Sequence, residues 1–287
     1  MKAYKPTSPG RRGMTVVSYN ELLTGKRNAP LKRLTQGGRS TGGRNSGGRT
    51  TNLYRGGGNK RTYRIVDFTY NKRDIPAVVE SIEYDPYRTG FIALVLYKDG
   101  ERRYVLAPKD MKKGDEFVVS ETAKPKMGNR LPLSKIPVGT FVFAIELQPG
   151  AGARIARSAG NYAEVVAQDG GYTLIKMPST EVRRVIGTAW ATVGVVSNEG
   201  SRLVTLGKAG RSRVRGRRPK NRGSARNAVD HPHGGGEGRA PRGHRRARTI
   251  QGRPTGKGQK TRSPKKHSNV FVVSRRKPGR LMRAGGV

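Results

Sequence analysis

The sequence contains no cysteine, which excludes disulfide bonds and thiolate zinc sites. It also lacks any apolar run approaching the roughly 18 residues that a membrane-spanning helix needs. The N-terminus carries Lys2 and Lys5 without the apolar segment of a secretory signal. We therefore expect no membrane insertion and a cytoplasmic setting.

Acidic residues are scarce as well. The 287 residues include 59 Lys and Arg but only 19 Asp and Glu, so the formal net charge is +40. Self-repulsion at this charge disfavours compaction, and a polyanion is the expected partner. The basic bias argues against most soluble enzymes and favours binding to nucleic acid or to an anionic membrane.

The charge is distributed unevenly along the chain. Residues 1–59 carry a net charge of +11 and residues 201–287 carry +24, whereas residues 60–125 and 126–200 carry only +2 and +3. Only the middle of the chain has enough apolar residues to build a core. The two arms cannot bury enough surface to offset chain entropy, and we expect them to be irregular and, without a partner, disordered.

The first half of the middle has the pattern of a small β domain. Its strand candidates are Tyr63–Phe68, Ala77–Tyr84, Phe91–Tyr97, Arg102–Leu106 and Phe117–Ser120. Alternation in the second candidate places on one face Val78, Glu80, Ile82 and Tyr84. Asp99-Gly100 is a strong hairpin turn. Five short strands without a long helix predict an OB-like barrel in residues 60–125.

Residues 126–200 repeat this pattern. The candidates are Thr140–Leu147, Tyr162–Gln168, Tyr172–Met177, Val182–Ile186 and Ala189–Ser197, separated by turn residues such as Asp169-Gly170-Gly171. They suit an SH3-like barrel, preceded by an extended connector at Leu131-Pro132 and Ile136-Pro137. The predicted fold is mostly β, an OB-like barrel followed by an SH3-like barrel between long irregular basic extensions. The pattern alone does not distinguish two barrels from one larger sandwich.

The N-terminal arm, residues 1–59, has a weak repeat. Gly37-Gly38-Arg39, Gly42-Gly43-Arg44 and Gly47-Gly48-Arg49 recur every five residues. Paired glycines let the backbone lie close to phosphates, and each five-residue repeat supplies one arginine. The alternative interpretation is a low-complexity linker. Both interpretations imply RNA.

The C-terminal tail, residues 201–287, loses the β pattern, and Val270–Val273 is the only apolar patch near its end. Residues Arg211–Arg218 form a basic segment that is either a short helix or extended chain.

Asp230-His231-Pro232-His233 precedes three glycines and Glu237 in this otherwise basic tail. Pro232 fixes its own backbone and restricts His231, while the glycines permit positive φ and close approach to a partner, as expected for a tail that follows an irregular surface.

A metal-dependent nuclease using His231, His233 and Glu237 is a rival hypothesis, but no strand pattern holds these side chains rigidly. No phosphate loop of the nucleotide-triphosphate type is present. We predict no catalytic residue, metal or cofactor.

This motif resembles the L-two family of large-subunit ribosomal proteins, in its bacterial form. Further segments that resemble the family are Lys5–Arg12, Tyr63–Phe68, Glu83–Pro86, Ala93–Tyr104 and Ala156–Gly160, so the resemblance runs nearly end to end. It implies the same pair of barrels. It also implies large-subunit rRNA as the partner, with neighbouring ribosomal proteins and the small subunit across an intersubunit bridge. His231 is implied to lie near the peptidyl-transferase region, where RNA carries out the reaction.

The chain departs from the family pattern in its tail. Ala228 stands where a proline is usual, Thr249–Gly252 replaces a Pro-Trp-Gly segment, and Arg239–Arg248 is unusually rich in arginine. Residues 278–287 extend past the usual end.

RNA contacts are predicted for clustered basic residues, for an aromatic ring in a turn and for the two histidines. Tyr87, in Asp85-Pro86-Tyr87-Arg88, is the best candidate for an exposed base-stacking ring, whereas most other barrel aromatics are expected to pack in cores. Arg157 lies in a loop of small residues that lets backbone amides approach phosphate. The full set is Arg39, Arg44, Arg49, Lys60, Arg61, Arg64, Tyr87, Arg88, Arg157, Arg211, Arg213, Arg217, Arg218, His231, His233, Arg239, Lys257, Lys260 and Arg262.

The sequence thus predicts a structural rRNA-binding protein whose affinity comes mainly from phosphate neutralisation. The rival from another class is a free-standing RNA chaperone or translation factor that uses the same OB platform with mobile arms.

Overall fold

The computed structural model describes residues 1–20, 23–24, 30–237, 243–256 and 259–276. The predictions for Arg239 and Lys257 lie outside the described residues.

The chain folds into two compact units. The first contains Met1–Arg39, Lys60–Arg211 and the segment that begins at Val270; the second contains Ser40–Asn59 and Ser212–Asn269. Both predicted barrels lie within the first unit, so the predicted boundary between residues 125 and 126 stays a prediction, as do the limits of the arms.

Strands dominate the secondary structure, as predicted. In chain order they are β1 Lys2–Ala3, β2 Thr15–Val16, β3 Thr35–Gln36, β4 Tyr63–Arg64, β5 Ala77–Glu83, β6 Ile92–Tyr97, β7 Arg102–Leu106, β8 Glu116–Phe117, β9 Arg130–Pro132, β10 Phe141–Phe143, β11 Ala163–Asp169, β12 Tyr172–Lys176, β13 Val182–Ile186, β14 Trp190–Val193 and β15 Val272–Ser274. Two short α-helices are α1 Pro9–Arg12 and α2 Ala209–Val214. The 3₁₀ turns are Lys32–Leu34, Leu133–Lys135, Glu199–Leu203, Gly223–Ala225 and His267–Asn269.

The OB-like half is built on an antiparallel sheet with the strand order β7-β6-β5-β8. Strands β3 and β4 pair separately, and a parallel bridge from Val66 to Tyr104 brings the chain after β4 to β7. The predicted turn at Asp99-Gly100 joins β6 to β7, with Gly100 at φ +85°. The main core of this half includes Val79, Val95 and Phe117.

The prediction that Val78 and Ile82 lie on the same face of β5 is wrong. Alternation placed Val78 with Ile82, but Val78 is 38% exposed and Val79 only 1%. A β-bulge between Val79 and Ser81 inserts a residue, so Val79 and Ile82 both reach the core. A period of two cannot anticipate a bulge.

The SH3-like half belongs to a seven-stranded antiparallel sheet with the order β15-β13-β12-β11-β10-β14-β9. The five predicted strands are all present, and Gly170-Gly171 makes the two-residue hairpin between β11 and β12 with both φ angles positive.

Two strands of this sheet were not predicted. The connector at Leu131-Pro132 is edge strand β9, a position where a proline without an N–H donor is tolerated. The tail, expected to lack β structure, returns at the opposite edge, where β15 pairs with β13.

Arg130 joins the two barrels. It is 1% exposed and donates from Nη2 to Glu146 Oε1 at 2.9 Å and from Nη1 to the Ala144 carbonyl at 2.7 Å. Its guanidinium also lies over the ring of Tyr70, 4.4 Å from the centroid. Burial lowers the Arg130 pKa and raises the pKa of Tyr70 to about 12. Since Tyr70 packs in the OB-like core while Glu146 follows β10, this cluster ties both halves together.

The second unit consists of one part of each arm, because Ser40–Asn59 packs against Ser212–Asn269. Gly56 N–H donates to Gly216 O at 3.1 Å, Asn59 N–H to Val214 O at 3.1 Å and Arg218 N–H to Tyr54 O at 2.9 Å. A Cβ on Gly58 would lie 2.8 Å from Gly216 N and from Val214 O. Glycine at residue 58 is therefore required by the close approach of the arms.

Candidate nucleic-acid interface

The Asp85–Arg88 turn follows β5 and is held by its own carboxylate. Asp85 is fully buried, accepts the Tyr87 N–H at 2.8 Å and pairs with the guanidinium of Arg88. This aspartate-centred turn leaves the Tyr87 ring 49% exposed. The structure thus places Tyr87 on the surface, where stacking on a base requires it.

Three aromatic rings and three guanidinium groups form a continuous row across this surface. We call the row the arginine–aromatic ladder; it consists of Arg61, Tyr87, Tyr63, Arg88, Phe68 and Arg157. Arg61 lies 5.7 Å from the Tyr87 ring centroid, and the Tyr87 and Tyr63 rings meet edge to face at 5.4 Å.

The ladder continues from the first barrel to the second. Arg88 lies 5.9 Å from the Tyr63 ring and 5.5 Å from the Phe68 ring, and Arg157 covers Phe68 at 4.6 Å. Arg157 belongs to the SH3-like half. A planar guanidinium keeps in-plane donors for phosphate while its face lies on a ring, so the ladder combines stacking and phosphate-binding groups.

Sequence reasoning did not single out Tyr63 or Phe68 for this surface, since most barrel aromatics were expected to pack in cores. Phe68 is half-buried and does pack against the core of the OB-like half. Tyr63 is exposed in a two-residue strand, where alternation is too short to define a face. A second pair of exposed rings is Phe141 and Tyr162, with ring centroids 4.6 Å apart.

Arg64 is not part of this surface. It is 5% exposed and donates from Nη1 to the Thr62 carbonyl at 2.9 Å. The RNA contact predicted for Arg64 is therefore not favoured by its position, whereas the neighbouring Lys60 is exposed.

A network of ion pairs flanks the ladder beside Phe68. Arg103 donates to Asp67 Oδ2 at 2.8 Å and to Glu101 Oε1 at 2.7 Å. Burial alone would raise the Asp67 pKa, but hydrogen bonds from Thr69, Arg103 and the Tyr70 N–H outweigh it and lower that pKa. Hydrogen bonds from Arg103 and Lys72 lower the Glu101 pKa to about 2. These carboxylates are thus compensated within the barrel.

The glycine–arginine repeat forms a small hairpin in the second unit. Arg44 bridges to Thr50, Asn45 N–H donates to Arg49 O at 3.0 Å, and Gly48 takes φ +72° in the turn. Arg44 and Arg49 are exposed, as is Arg39. A Cβ on Gly43 would collide with the Asn52 carbonyl, so that glycine serves a contact within the arm, a reason that the repeat pattern did not reveal.

The basic segment at Arg211–Arg218 begins as a helix, which settles the alternative left open by the sequence. Helix α2 ends at Val214, and Arg213, Arg217 and Arg218 are exposed. Arg211 is half-buried and donates from Nη1 to Leu206 O at 3.5 Å.

The histidine motif folds onto its own neighbourhood. His231 Nδ1 accepts the His233 N–H at 3.0 Å, and the two rings lie 4.8 Å apart. A Cβ on Gly223 would collide with the His231 ring, and Gly235 N–H donates to Arg226 O at 3.0 Å. Both histidines are half-buried, so the motif is a braced turn with part of each ring accessible.

The remaining tail residues differ in their surroundings. Lys260 is exposed, whereas Arg262 donates to Asn269 Oδ1 at 2.6 Å and to Ser268 Oγ at 3.1 Å. Arg262 therefore holds the turn at His267–Asn269 together.

Within the described part of the chain, no three His, Asp or Glu side chains are arranged to hold a metal ion. The described helices are all too short or too polar to cross a bilayer.

Family comparisons agree along nearly the whole chain. Residues 31–120 match the family model described as "Ribosomal Proteins L2, RNA binding N-terminal domain", and residues 126–266 match "Ribosomal Proteins L2, C-terminal domain". A relative from Granulibacter bethesdensis, named "Large ribosomal subunit protein uL2", is 52% identical over 277 residues, which cover 96% of this chain and 99% of the relative. Relatives with the same name and coverage from Bacteroides thetaiotaomicron and Parabacteroides distasonis are 49% and 48% identical.

Proposed function

The chain belongs to the L2 family of ribosomal proteins, and from this membership we propose how its residues serve a structural, rRNA-binding role in the large ribosomal subunit. The main support for this role is that both family domains match the chain and that it is 52% identical over 277 residues to a large-subunit protein. The location that follows is the ribosome of the bacterial cytoplasm. No catalytic residue is assigned.

The ladder is the proposed contact of the barrels with rRNA. Its exposed Tyr87 and Tyr63 rings suit unpaired bases, because RNA is recognised largely through single-stranded loops and bulges whose bases stack on aromatic and arginine planes. Arg157 extends the same surface to the second barrel and supplies charge for a phosphate. Both barrels would then bind one continuous stretch of RNA.

The arms are proposed to thread between RNA helices. The second unit presents exposed arginines on the hairpin at Arg44 and Arg49 and on the segment after α2. Most of the affinity should come from phosphate neutralisation by these residues. Neighbouring ribosomal proteins, and the small subunit across a bridge, are further proposed partners.

His231 is proposed to shape RNA near the peptidyl-transferase region without taking part in the chemistry. Its Nδ1 is already an acceptor for the His233 N–H, and its ring packs on Gly223. These contacts fix the ring and leave its other edge for a nucleotide.

Sedimentation tests the proposed role against the rival chaperone. Large subunits from cells expressing the tagged chain are pelleted through sucrose in stepwise higher salt. A ribosomal protein stays at one copy per large-subunit rRNA, whereas a chaperone washes off. Loss of the chain at moderate salt, with other large-subunit proteins retained as the internal control, would contradict the proposal. Metal analysis of the purified chain tests the nuclease alternative.

A further inference from the structure

A cavity lies in the tail beside the histidine motif. Its volume is about 310 Å³, and its lining consists of His244, Arg245, Arg246, Arg248 and Pro254. We call it the arginine cavity. Four of the five lining residues carry basic side chains, and all four fall in the stretch Arg239–Arg248 that is unusually rich in arginine.

The backbone around this cavity is fixed by a turn of the tail. Arg248 and Pro254 form a bridge, Thr249 N–H donates to Arg253 O at 2.9 Å, and Thr255 N–H donates to Ala247 O at 2.8 Å. None of these bonds uses a side chain. The lining arginines can therefore change without loss of the bonds that form the wall.

The histidine motif supports the same wall. His233 Nε2 accepts the backbone N–H of Arg248 at 3.0 Å, and the His233 and His244 rings lie 6.2 Å apart. Because His231 Nδ1 accepts the His233 N–H, two consecutive hydrogen bonds connect the motif to the cavity. His233 is thus a positioning residue for Arg248.

Few groups around the cavity neutralise the positive charge of its guanidinium groups. Arg248 donates from Nη1 to the Gly252 carbonyl at 3.0 Å, which orients it. Among the described residues, no carboxylate lines the cavity, and none forms an ion pair with Arg245 or Arg246. Arg245 and Arg246 line the same cavity, and a guanidinium group can bind a phosphate with two parallel hydrogen bonds.

We propose that the arginine cavity is a phosphate-binding site that holds a backbone phosphate of rRNA between Arg245 and Arg246. The inference rests on the proposed rRNA-binding role and assigns one site within it. The cavity is larger than a single phosphate group, so the adjoining sugar can enter with it. Since guanidinium groups recognise phosphate irrespective of the base, this site sets the position of the tail and contributes no sequence preference.

The test compares two double variants of the full chain that lose the same charge. R245Q/R246Q removes the cavity pair, and R222Q/R253Q removes two exposed arginines that do not line the cavity. Binding to large-subunit rRNA is measured by filter retention at fixed salt. We expect R245Q/R246Q to weaken binding at least tenfold more than R222Q/R253Q. R245K/R246K keeps the positive charge but lacks the planar pair of guanidinium donors. Its affinity for rRNA should lie between those of wild type and R245Q/R246Q.

Competitors identify the source of the phosphate. Inorganic pyrophosphate and polyglutamate are titrated against the same variants by calorimetry. If R245Q/R246Q loses affinity for pyrophosphate but not for rRNA, the ligand of the site is a free polyphosphate. If it loses affinity only for polyglutamate, the ligand is an acidic protein. Either result overturns the proposal.

Other outcomes separate this inference from the proposed function. Equal losses for the two glutamine variants, or full binding by R245K/R246K, would mean diffuse charge and no shaped site. If wild type and R245Q/R246Q bind rRNA equally, the cavity proposal fails and the rRNA-binding role stands. If wild type does not bind rRNA, the proposed function itself fails.

Discussion

Arginines in this chain have two roles, and burial separates them. Arg130 is enclosed by groups from both barrels, whereas Arg245 and Arg246 are exposed in the tail. A buried charge is costly unless it is paired and hydrogen-bonded, and Arg130 meets that condition through Glu146, the Ala144 carbonyl and Thr192 Oγ1. Sequence reasoning predicted RNA contacts for clustered arginines and gave no role to Arg130, whose partners lie 14 to 62 residues away in the sequence.

Removing the cation of the buried Arg130–Glu146 pair should destabilise the barrels. R130M leaves Glu146 charged, buried and unpaired, and should lower the free energy of unfolding by about 3–5 kcal/mol. Removing both charges with R130M/E146L should recover much of the loss. The measurement is urea unfolding followed by fluorescence of Trp190, the single tryptophan of the chain.

The exposed pair Arg102–Glu80 is the control for this experiment. Its variant R102M should cost at most about 1 kcal/mol. Similar losses for R130M and R102M would show that the link between the barrels is unimportant.

His231 tests whether architecture or proton transfer matters in the tail. H231A removes the acceptor of the His233 N–H, which costs about 1–3 kcal/mol if that donor stays unsatisfied, and should impair peptidyl transfer or assembly of the large subunit. H231Q keeps an acceptor and should retain more activity than H231A. Purified subunits are assayed from about pH 6 to 8.5, where a histidine titrates.

The exposed His267 provides the control, and H267A should behave like wild type. Equal inactivity of H231Q and H231A would instead favour acid–base chemistry. A profile unchanged by both variants would show that His231 has no role.

At the scale of elements, local patterns located most of the barrel strands. β7 and β13 match their predicted bounds, and the hairpins at Asp99-Gly100 and Gly170-Gly171 follow from turn chemistry. Patterns failed where distant pairing decides. β9 carries a proline and β15 lies in a basic tail, and each is a strand only because an existing sheet edge receives it. Four ladder residues were predicted RNA contacts, but their arrangement with Tyr63 and Phe68 was not predicted, because Tyr87 and Arg157 lie far from that segment in the sequence.

Glycines in the N-terminal arm show how the two arms depend on each other. G58A should separate them, because its Cβ would clash with backbone at Gly216 and Val214. G57A is the matched control: Gly57 has φ +64° with open space around it, so alanine there costs only the left-handed conformation, about 1–2 kcal/mol. Hydrogen exchange in the rRNA complex should show faster exchange of the Gly56 and Asn59 amides in G58A than in G57A. Equal exchange rates would contradict the packing of the arms.

For the whole molecule, charge and core are divided between different parts of the chain. The blocks with net charges of +2 and +3 build the barrels, and the blocks with +11 and +24 form the arms. The barrels fold by burying apolar surface, whereas parts of the two arms meet through backbone hydrogen bonds, and many of the described arginines of the arms are exposed. In the proposed complex, the arms would gain most of their binding free energy from contacts with phosphates and the release of counterions, so RNA would complete their structure.

Deleting residues 201–287 should therefore change the salt dependence of rRNA binding more than the fold of the barrels. The deletion removes 26 of the 59 basic residues. Each lost phosphate contact reduces the slope of log K against log salt by about 0.7 to 0.9, so the slope should fall by several units. Because the deletion also removes β15, Trp190 fluorescence must first show that the barrels remain folded. A truncated chain that is folded but binds rRNA with the original slope would mean that the tail makes no phosphate contacts, and that the barrels alone account for binding.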